Sequence, residues 1–194
     1  MKSNLKSEAV IALKIFFVLS IILGVMYPLT ITWIARMTMP EKANGSLITS
    51  DGRIVGSKLI GQQFSDSTYF HSRPSAVDNN AAGSGGSNLG PSSQKLMDIV
   101  KEQVAETRRT NSLASDVKIP ADMVLASASG LDPHISVQNA LLQAPRIART
   151  RSLSGERIRQ LIEQHTDPDF IGVWGQKGVN VLSLNLALDQ LSKL

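Results

Sequence analysis

The sequence predicts an α+β protein: a single N-terminal transmembrane helix followed by one mixed soluble domain. Three observations predict it. Residues Ile15 to Ala35 form an uninterrupted apolar run, Asp51-Gly52 stands between two short apolar runs, and several serine-capped amphipathic stretches follow in the second half. The first of these says most about where the chain works.

Between Lys14 and Arg36 lie about 21 uncharged residues. At 1.5 Å rise per residue they match roughly the 30 Å of a bilayer's hydrocarbon core. A cleavable signal sequence has a shorter apolar stretch of roughly 7–15 residues, ending in small residues. Here Trp33, Ile34 and Ala35 run straight into Arg36 without an A-x-A pattern, so the segment is expected to stay attached. A buried core helix would carry a polar face. The polar residues Ser20, Thr30 and Thr32 are sparse instead, and their hydroxyls can bond back to their own helix. Ser20 and Gly24 also make a small-xxx-small pair, with Pro28 one turn later. That face suits close packing against a partner's helix, and it suits a helix surrounded only by lipid as well.

Lys2, Lys6 and Lys14 on one flank, opposed by Glu8, outweigh Arg36 and Lys42 on the other. The positive-inside bias therefore predicts residues 1–14 as a cytoplasmic N-terminus, 15–35 as the transmembrane helix and 36–194 as a periplasmic domain. Residues 1–36 hold a net charge of +3, which leaves +1 of the chain's +4 for the rest. The high isoelectric point is thus an anchor property and gives no case for nucleic-acid binding. Cysteine is absent, which excludes disulfides, thiolate metal sites and a cysteine nucleophile.

Beyond a short connector, Ser46-Leu47-Ile48-Thr49 and Arg53-Ile54-Val55-Gly56 flank Ser50-Asp51-Gly52, a hairpin signal because the turn needs positive φ. The stretch Ser57 to Phe64 either continues the sheet or breaks at Gly61, and Pro74 forces extended geometry on Arg73. A Gly-, Ser- and Asn-rich loop from Val77 to Pro91 leads to a helix capped by Ser92 or Ser93. Its expected apolar face is Leu96, Ile99, Val100 and Val104, fading near Thr107 with Arg108 and Arg109 at its negative end. After the apolar segment Met123 to Ala126, Ser136 is expected to cap a helix that Pro145 interrupts and that can resume through Arg146 to Arg149, since proline is tolerated in a first turn. Ser154 caps the next, containing Ile158, Leu161 and Ile162. Val179 to Leu182 reads as a strand, and Leu184 to Leu194 as a closing helix.

Gly85-Gly86-Ser87-Asn88-Leu89-Gly90-Pro91-Ser92 matches the phosphate-loop spacing G-x-x-x-x-G-K-[ST] except that Pro91 replaces the lysine. That change removes both the charge and a backbone donor, so a tight packing loop is the expected role. His71, His134 and His165 are isolated in sequence, with no metal-ligand spacing. Arg146, Arg149, Arg151, Arg157 and Arg159 form the densest basic stretch, expected to be a solvated face or a contact with acidic groups on a partner or with lipid headgroups. A membrane-anchored envelope hydrolase using Ser127, His134 and Asp132, or an anchored ligand-sensing module, stands as the alternative function; no G-x-S-x-G elbow supports the first.

The chain resembles the C subunit of the bacterial Kdp potassium-transporting P-type ATPase. The resemblance runs through Asn44-Gly45-Ser46-Leu47-Ile48, Gly56 to Gln62, Tyr69 to Ala76, Gly85 to Ser92, Ala126 to Ser136, Val179 to Leu182 and Leu184 to Asp189. It departs at Lys177, where the family pattern has a proline. It implies a non-catalytic subunit of a high-affinity potassium uptake complex, partnered by a channel-like KdpA subunit, a KdpB ATPase subunit, a small KdpF-type subunit and the lipid bilayer. It implies no cofactor bound by this chain, ATP being used by the complex. The family acts as a catalytic chaperone that raises the ATP affinity of the ATPase subunit, and Gln143, before Ala144-Pro145-Arg146, is similar to a glutamine proposed to touch nucleotide. Such a contact and a periplasmic domain exclude each other, since ATP is cytoplasmic. The charge bias favours the external domain, so an effect on ATP affinity is expected to travel by linkage.

Overall fold

The computed structural model describes residues 5–168 and 175–191 and divides into two compact units that meet in sequence at Leu47 and Ile48. The first is dominated by one continuous helical rod, Leu5–Thr38, of which no residue is buried. It comprises α1 (Leu5–Ile21), a π-helical turn (Ile22–Met26) and α2 (Tyr27–Thr38), followed by the single turn α3 (Pro40–Ala43). Side chains such as Phe16, Leu23, Leu29 and Trp33 are all exposed, as an apolar rod requires when its solvent is lipid. The hydroxyls of Thr30 and Thr32 donate to the carbonyls of Met26 and Pro28, each at 2.8 Å, which satisfies them as expected for a membrane helix.

The second unit opens with the hairpin β1 (Leu47–Ser50) and β2 (Arg53–Ser57). Asp51 and Gly52 have φ of 48° and 76°, the two positive values of a type I′ turn. Strand β2 ends at Ser57 and the chain breaks into a turn, where the Leu59 N–H meets the Ser57 hydroxyl at 3.1 Å, so Lys58 to Phe64 does not extend the sheet.

Four helices and a small sheet form the body. Helix α4 (Gln94–Asn111) runs one turn beyond the expected fade at Thr107 and stops where Ser112 takes a left-handed φ of 53°. Its apolar stripe is only partly covered, with Ile99 exposed, and its fully buried residues are the polar Thr107 and Asn111. Ser93 occupies the N-cap position without a side-chain bond. Helix α5 (Val137–Thr150) and helix α6 (Gly155–Gln164) are capped as their sequences predict: the Ser136 hydroxyl accepts from the Asn139 N–H and the Ser154 hydroxyl from the Arg157 N–H.

Two expectations are corrected. Pro145 does not interrupt α5, which runs unbroken through it. The proline removes one donor, for the carbonyl of Leu141, whose side chain lies on the exposed face; the buried bonds of Gln143 and Arg146 hold the helix on both sides of the gap. The predicted strand Val179 to Leu182 ends early, as β5 (Gly178–Asn180), and α7 (Val181–Leu191) begins at once. The cause is local: the Asn180 side chain accepts from the Ser183 N–H at 3.0 Å and so caps the new helix. Ser192, Lys193 and Leu194 of the expected closing helix lie outside the described residues.

Strands β3 (His134–Ser136), β5 and β4 (Thr166–Asp167) make an antiparallel sheet in the order β3-β5-β4, with Ile135 opposite Val179 and Thr166 also opposite Val179. The core lies between this sheet and helices α5, α6 and α7. It contains Phe70, Ile135, Ile147, Ile158, Ile162, Val179, Leu184 and Leu188. Phe70 comes from no regular element, and how its segment is held decides the shape of the site.

Candidate functional site

Helix α5 turns a polar stripe inward. Asn139, Gln143 and Arg146 carry it, at helical spacing from the half-buried N-cap Ser136 to the exposed Thr150 at the helix end. Asn139, Gln143 and Arg146 are 1%, 2% and 3% exposed. Buried polar groups cost free energy unless bonded, and here each is bonded to the next. Asp122 accepts from the Ser136 N–H and hydroxyl at 2.7 and 2.9 Å and from the Asn139 amide at 2.9 Å. The Asn139 carbonyl oxygen accepts from Gln143 Nε2 at 2.7 Å.

Gln143 then grips the backbone of segment 66–75, a turn at 66–69 followed by irregular chain from Phe70 onward. Its Oε1 accepts the His71 N–H at 2.8 Å and its Nε2 donates to the His71 carbonyl at 3.1 Å. Asn185 on α7 repeats the arrangement one residue earlier, accepting the Phe70 N–H at 2.9 Å and donating to its carbonyl at 3.0 Å. Two side-chain amides therefore take the place of neighbouring strands, and the strap they hold delivers Phe70, fully buried, into the core.

Arg146 completes the clamp. It donates to Gln143 Oε1 at 2.7 Å, Asn111 Oδ1 at 3.0 Å, the Tyr69 carbonyl at 2.9 Å and the Ser67 carbonyl. Among the described residues no carboxylate is bonded to it; neutral oxygens take its hydrogen bonds, and the Asp66 carboxylate favours its charge from a greater distance. Burial pushes its pKa down to about 10, which leaves it charged at neutral pH. At the strap's near end, Arg151 donates to the Thr68 carbonyl at 2.8 Å, pairs with Asp189 at 2.8 Å and lies 4.7 Å over the Tyr69 ring. The Tyr69 hydroxyl donates to the same carboxylate at 3.0 Å.

Between the strap and α4 lies a polar cleft of about 720 Å³, bordered by His71, Arg73, Glu106, Asn111, Asn139 and Gln143. Gln143 reaches its wall without spare bonding capacity. Both amide hydrogens and both lone-pair positions of Oε1 are used inside the domain. His71 packs its ring beside the strap, Nε2 lying 3.1 Å from the Asp66 carbonyl. Burial lowers its pKa below 6.5, and the Arg146 guanidinium adds to the effect. The neutral form is thus the one the fold prefers. Stability from this group is complete above about pH 6.5 and is lost as pH falls through that value toward the lower folded pKa. We expect a His71→Gln variant to lose less stability than the parent between neutral and mildly acidic pH, measured as the shift in urea midpoint; equal losses would exclude His71 as a contributor.

The other sequence candidates are distributed elsewhere. Ser127 is buried beside Ser129, with their hydroxyl oxygens 3.5 Å apart; His134 and Asp132 do meet, Nδ1 lying 3.8 Å from Oδ1, while His134 Nε2 also meets Asp167 at 3.1 Å and Asp132 pairs with Arg73 at 2.8 Å. The structure thus gives Ser127 and His134 different partners and does not assemble them as a nucleophile and base. The five arginines are not one patch either: Arg146 is buried, Arg151 is clasped, Arg149 reaches Ser112 and Arg157 and Arg159 are exposed on α6. The glycine loop packs against the loop 127–130, its Gly85 N–H donating to the Ser129 carbonyl at 2.8 Å and its Ser84 hydroxyl to the same oxygen at 3.0 Å. No group of three His, Asp or Glu among the described residues is arranged to hold a metal ion.

The model of a family described as KdpC, the K+-transporting ATPase c chain, matches residues 9–190. The chain belongs to the KdpC family. Two relatives called potassium-transporting ATPase KdpC subunit illustrate how near the match is. The Mycobacterium tuberculosis protein is 48% identical over 93% of this chain and 96% of its own length. The Cereibacter sphaeroides protein is 51% identical over 92% and 94%. The match spans both the apolar helix and the clamped domain, so in this KdpC chain the strap, Asn139, Gln143, Arg146 and Asn185 are all within the family's extent.

Sequence reasoning singled out Gln143 only through the resemblance, and passed over Asn111, Asn139 and Asn185. The readable signal was the i, i+3, i+7, i+10 recurrence of polar residues from Ser136 to Arg146. A solvated helix face has the same periodicity, and sequence alone does not say which face turns inward.

Proposed function

We propose that this chain is the non-catalytic accessory subunit of an ATP-driven potassium uptake complex, anchored by one helix with its N-terminus in the cytoplasm and its domain in the periplasm. In this reading it stabilises the association of the channel-like KdpA and KdpB ATPase subunits, with a small KdpF-type subunit as a further neighbour. The domain biases potassium entry at the outer mouth of KdpA, and it raises ATP affinity in KdpB indirectly, through linkage across the complex.

The observation that carries the indirect route is the state of Gln143. Its four hydrogen-bonding positions are occupied within the domain, so contact with a nucleotide would require release of the strap at His71. Family membership supports the complex, and the flanking charges support the topology.

Two measurements test this reading. Because the chain has no cysteine, a Ser115→Cys variant carries a single thiol on an exposed turn of the domain. It should react with a membrane-impermeant maleimide in right-side-out vesicles; protection there, with labelling in inverted vesicles, would place the domain in the cytoplasm and overturn the topology. Pull-down of the tagged full chain should recover two larger membrane subunits. Ser20 and Gly24 are proposed as part of the helix-packing face. Beyond its chain neighbours and its own helix backbone, a Cβ at Gly24 meets no atom of this chain within 4 Å, so Gly24→Leu finds open space on that face of the helix. It should reduce recovery of the partners severalfold by blocking close approach; full recovery would remove this face from the contact.

A further inference from the structure

The π-helical turn Ile22–Met26 sits near the middle of the apolar run Ile15 to Ala35, where a bilayer holds no water. Its cause is Pro28. A proline in a helix interior has no N–H, and its ring crowds the carbonyl four residues before it, here that of Gly24. The helix widens to relieve this, and the Tyr27 N–H bonds to the Ile22 carbonyl, five residues back instead of four.

Counting donors across this turn leaves a deficit. The carbonyl of Leu23 has two helical donors within reach, the N–H of Tyr27 and that of residue 28. The first is committed to Ile22 and the second does not exist. The α-helical donor for the Gly24 carbonyl would also be residue 28. Thr30 and Thr32 do not repair the gap, since their hydroxyls go to Met26 and Pro28. In water such a carbonyl would be hydrated. In hydrocarbon it needs a donor from protein.

We infer that the Leu23 carbonyl accepts a hydrogen bond from a neutral donor side chain, of the serine, threonine, asparagine or glutamine type, on a transmembrane helix of a partner subunit. Gly24 makes room for that helix, because its missing side chain faces open space. The donor need is what distinguishes this from ordinary small-residue packing: the contact is specified by an acceptor fixed in the backbone, and the partner must bring the hydrogen. The inference rests on the reading that this chain is anchored beside other membrane subunits.

The test uses the full chain in lipid nanodiscs, alone and with its co-expressed partner subunits, labelled with carbonyl-13C leucine and 15N glycine. Leu-Gly pairs occur at Leu23-Gly24 and Leu89-Gly90, and a Leu89→Ile background leaves the first as the single reporter. The Leu23 carbonyl resonance should move downfield on assembly. Pro28→Ala restores the missing N–H, so it should abolish most of that movement and lower partner recovery under detergent challenge. Co-purification with the same carbonyl resonance in the free and assembled chain would overturn the donor contact while leaving the anchoring intact. Failure of the subunits to co-purify with the parent chain would overturn both.

Discussion

Replacing Gln143 with alanine is expected to lower the stability of the domain by about 3–5 kcal/mol, since each buried group left without its partner costs roughly 1–3 kcal/mol. The truncation strands the N–H and carbonyl of His71, the Asn139 oxygen and one Arg146 donor. Water entering from the adjoining cleft offsets part of that cost, which is why the expected loss is less than the sum of four stranded groups. Urea unfolding of the full chain without nucleotide measures it. A loss of ATP affinity in the complex accompanied by this destabilisation would mark Gln143 as a residue that positions the strap. An unchanged urea midpoint together with lost ATP affinity would contradict that role and point to a contact made by the side chain itself.

Gly130→Ala should cost about 3 kcal/mol, whereas Gly90→Ala should stay within about 0.5 kcal/mol. Gly130 has a φ of +67°, and a Cβ there would lie 2.5 Å from Val77 Cγ2 and 2.7 Å from the Gly85 carbonyl. The backbone oxygen cannot move aside without breaking the pairing of the two loops, in which Ser75 also donates to the Gly130 carbonyl at 2.8 Å. A Cβ at Gly90 would have nothing within 4 Å. Gly90 nevertheless holds the place of the second required glycine in the phosphate-loop spacing. If that loop worked by cradling phosphate, Gly90 would be sensitive in function while neutral in stability. A packing loop predicts neutrality in both, with ATPase activity of the assembled complex as the second readout.

Gln143 and Gly130 both act on irregular segments held by specific groups from distant parts of the chain. The strap is bonded to α5 and α7, about 70 and 115 residues away in sequence, and the glycine loop is bonded to a loop some 45 residues later. Interactions of that separation leave no local periodicity, so the strap reads only as an extended stretch before Pro74. The early start of α7 was hidden for a different reason. Val179 to Leu182 is β-branched and apolar enough to continue a strand, and the switch depends on the Asn180 side chain capping the helix while its amide donates to the Lys58 carbonyl at 2.9 Å.

Where physics acts over a few residues, the sequence alone determined the outcome. A charge-free apolar run longer than any soluble helix face needs, a two-residue turn demanding positive φ, and the caps Ser136 and Ser154 each fix their own geometry through local sterics and hydrogen bonding. The tertiary structure alone decided which polar residues go inside. Asn139, Gln143, Arg146 and Asn185 are tolerated in the interior only because partners far along the chain arrive to bond them, and that balance between desolvation and pairing is settled when the elements pack.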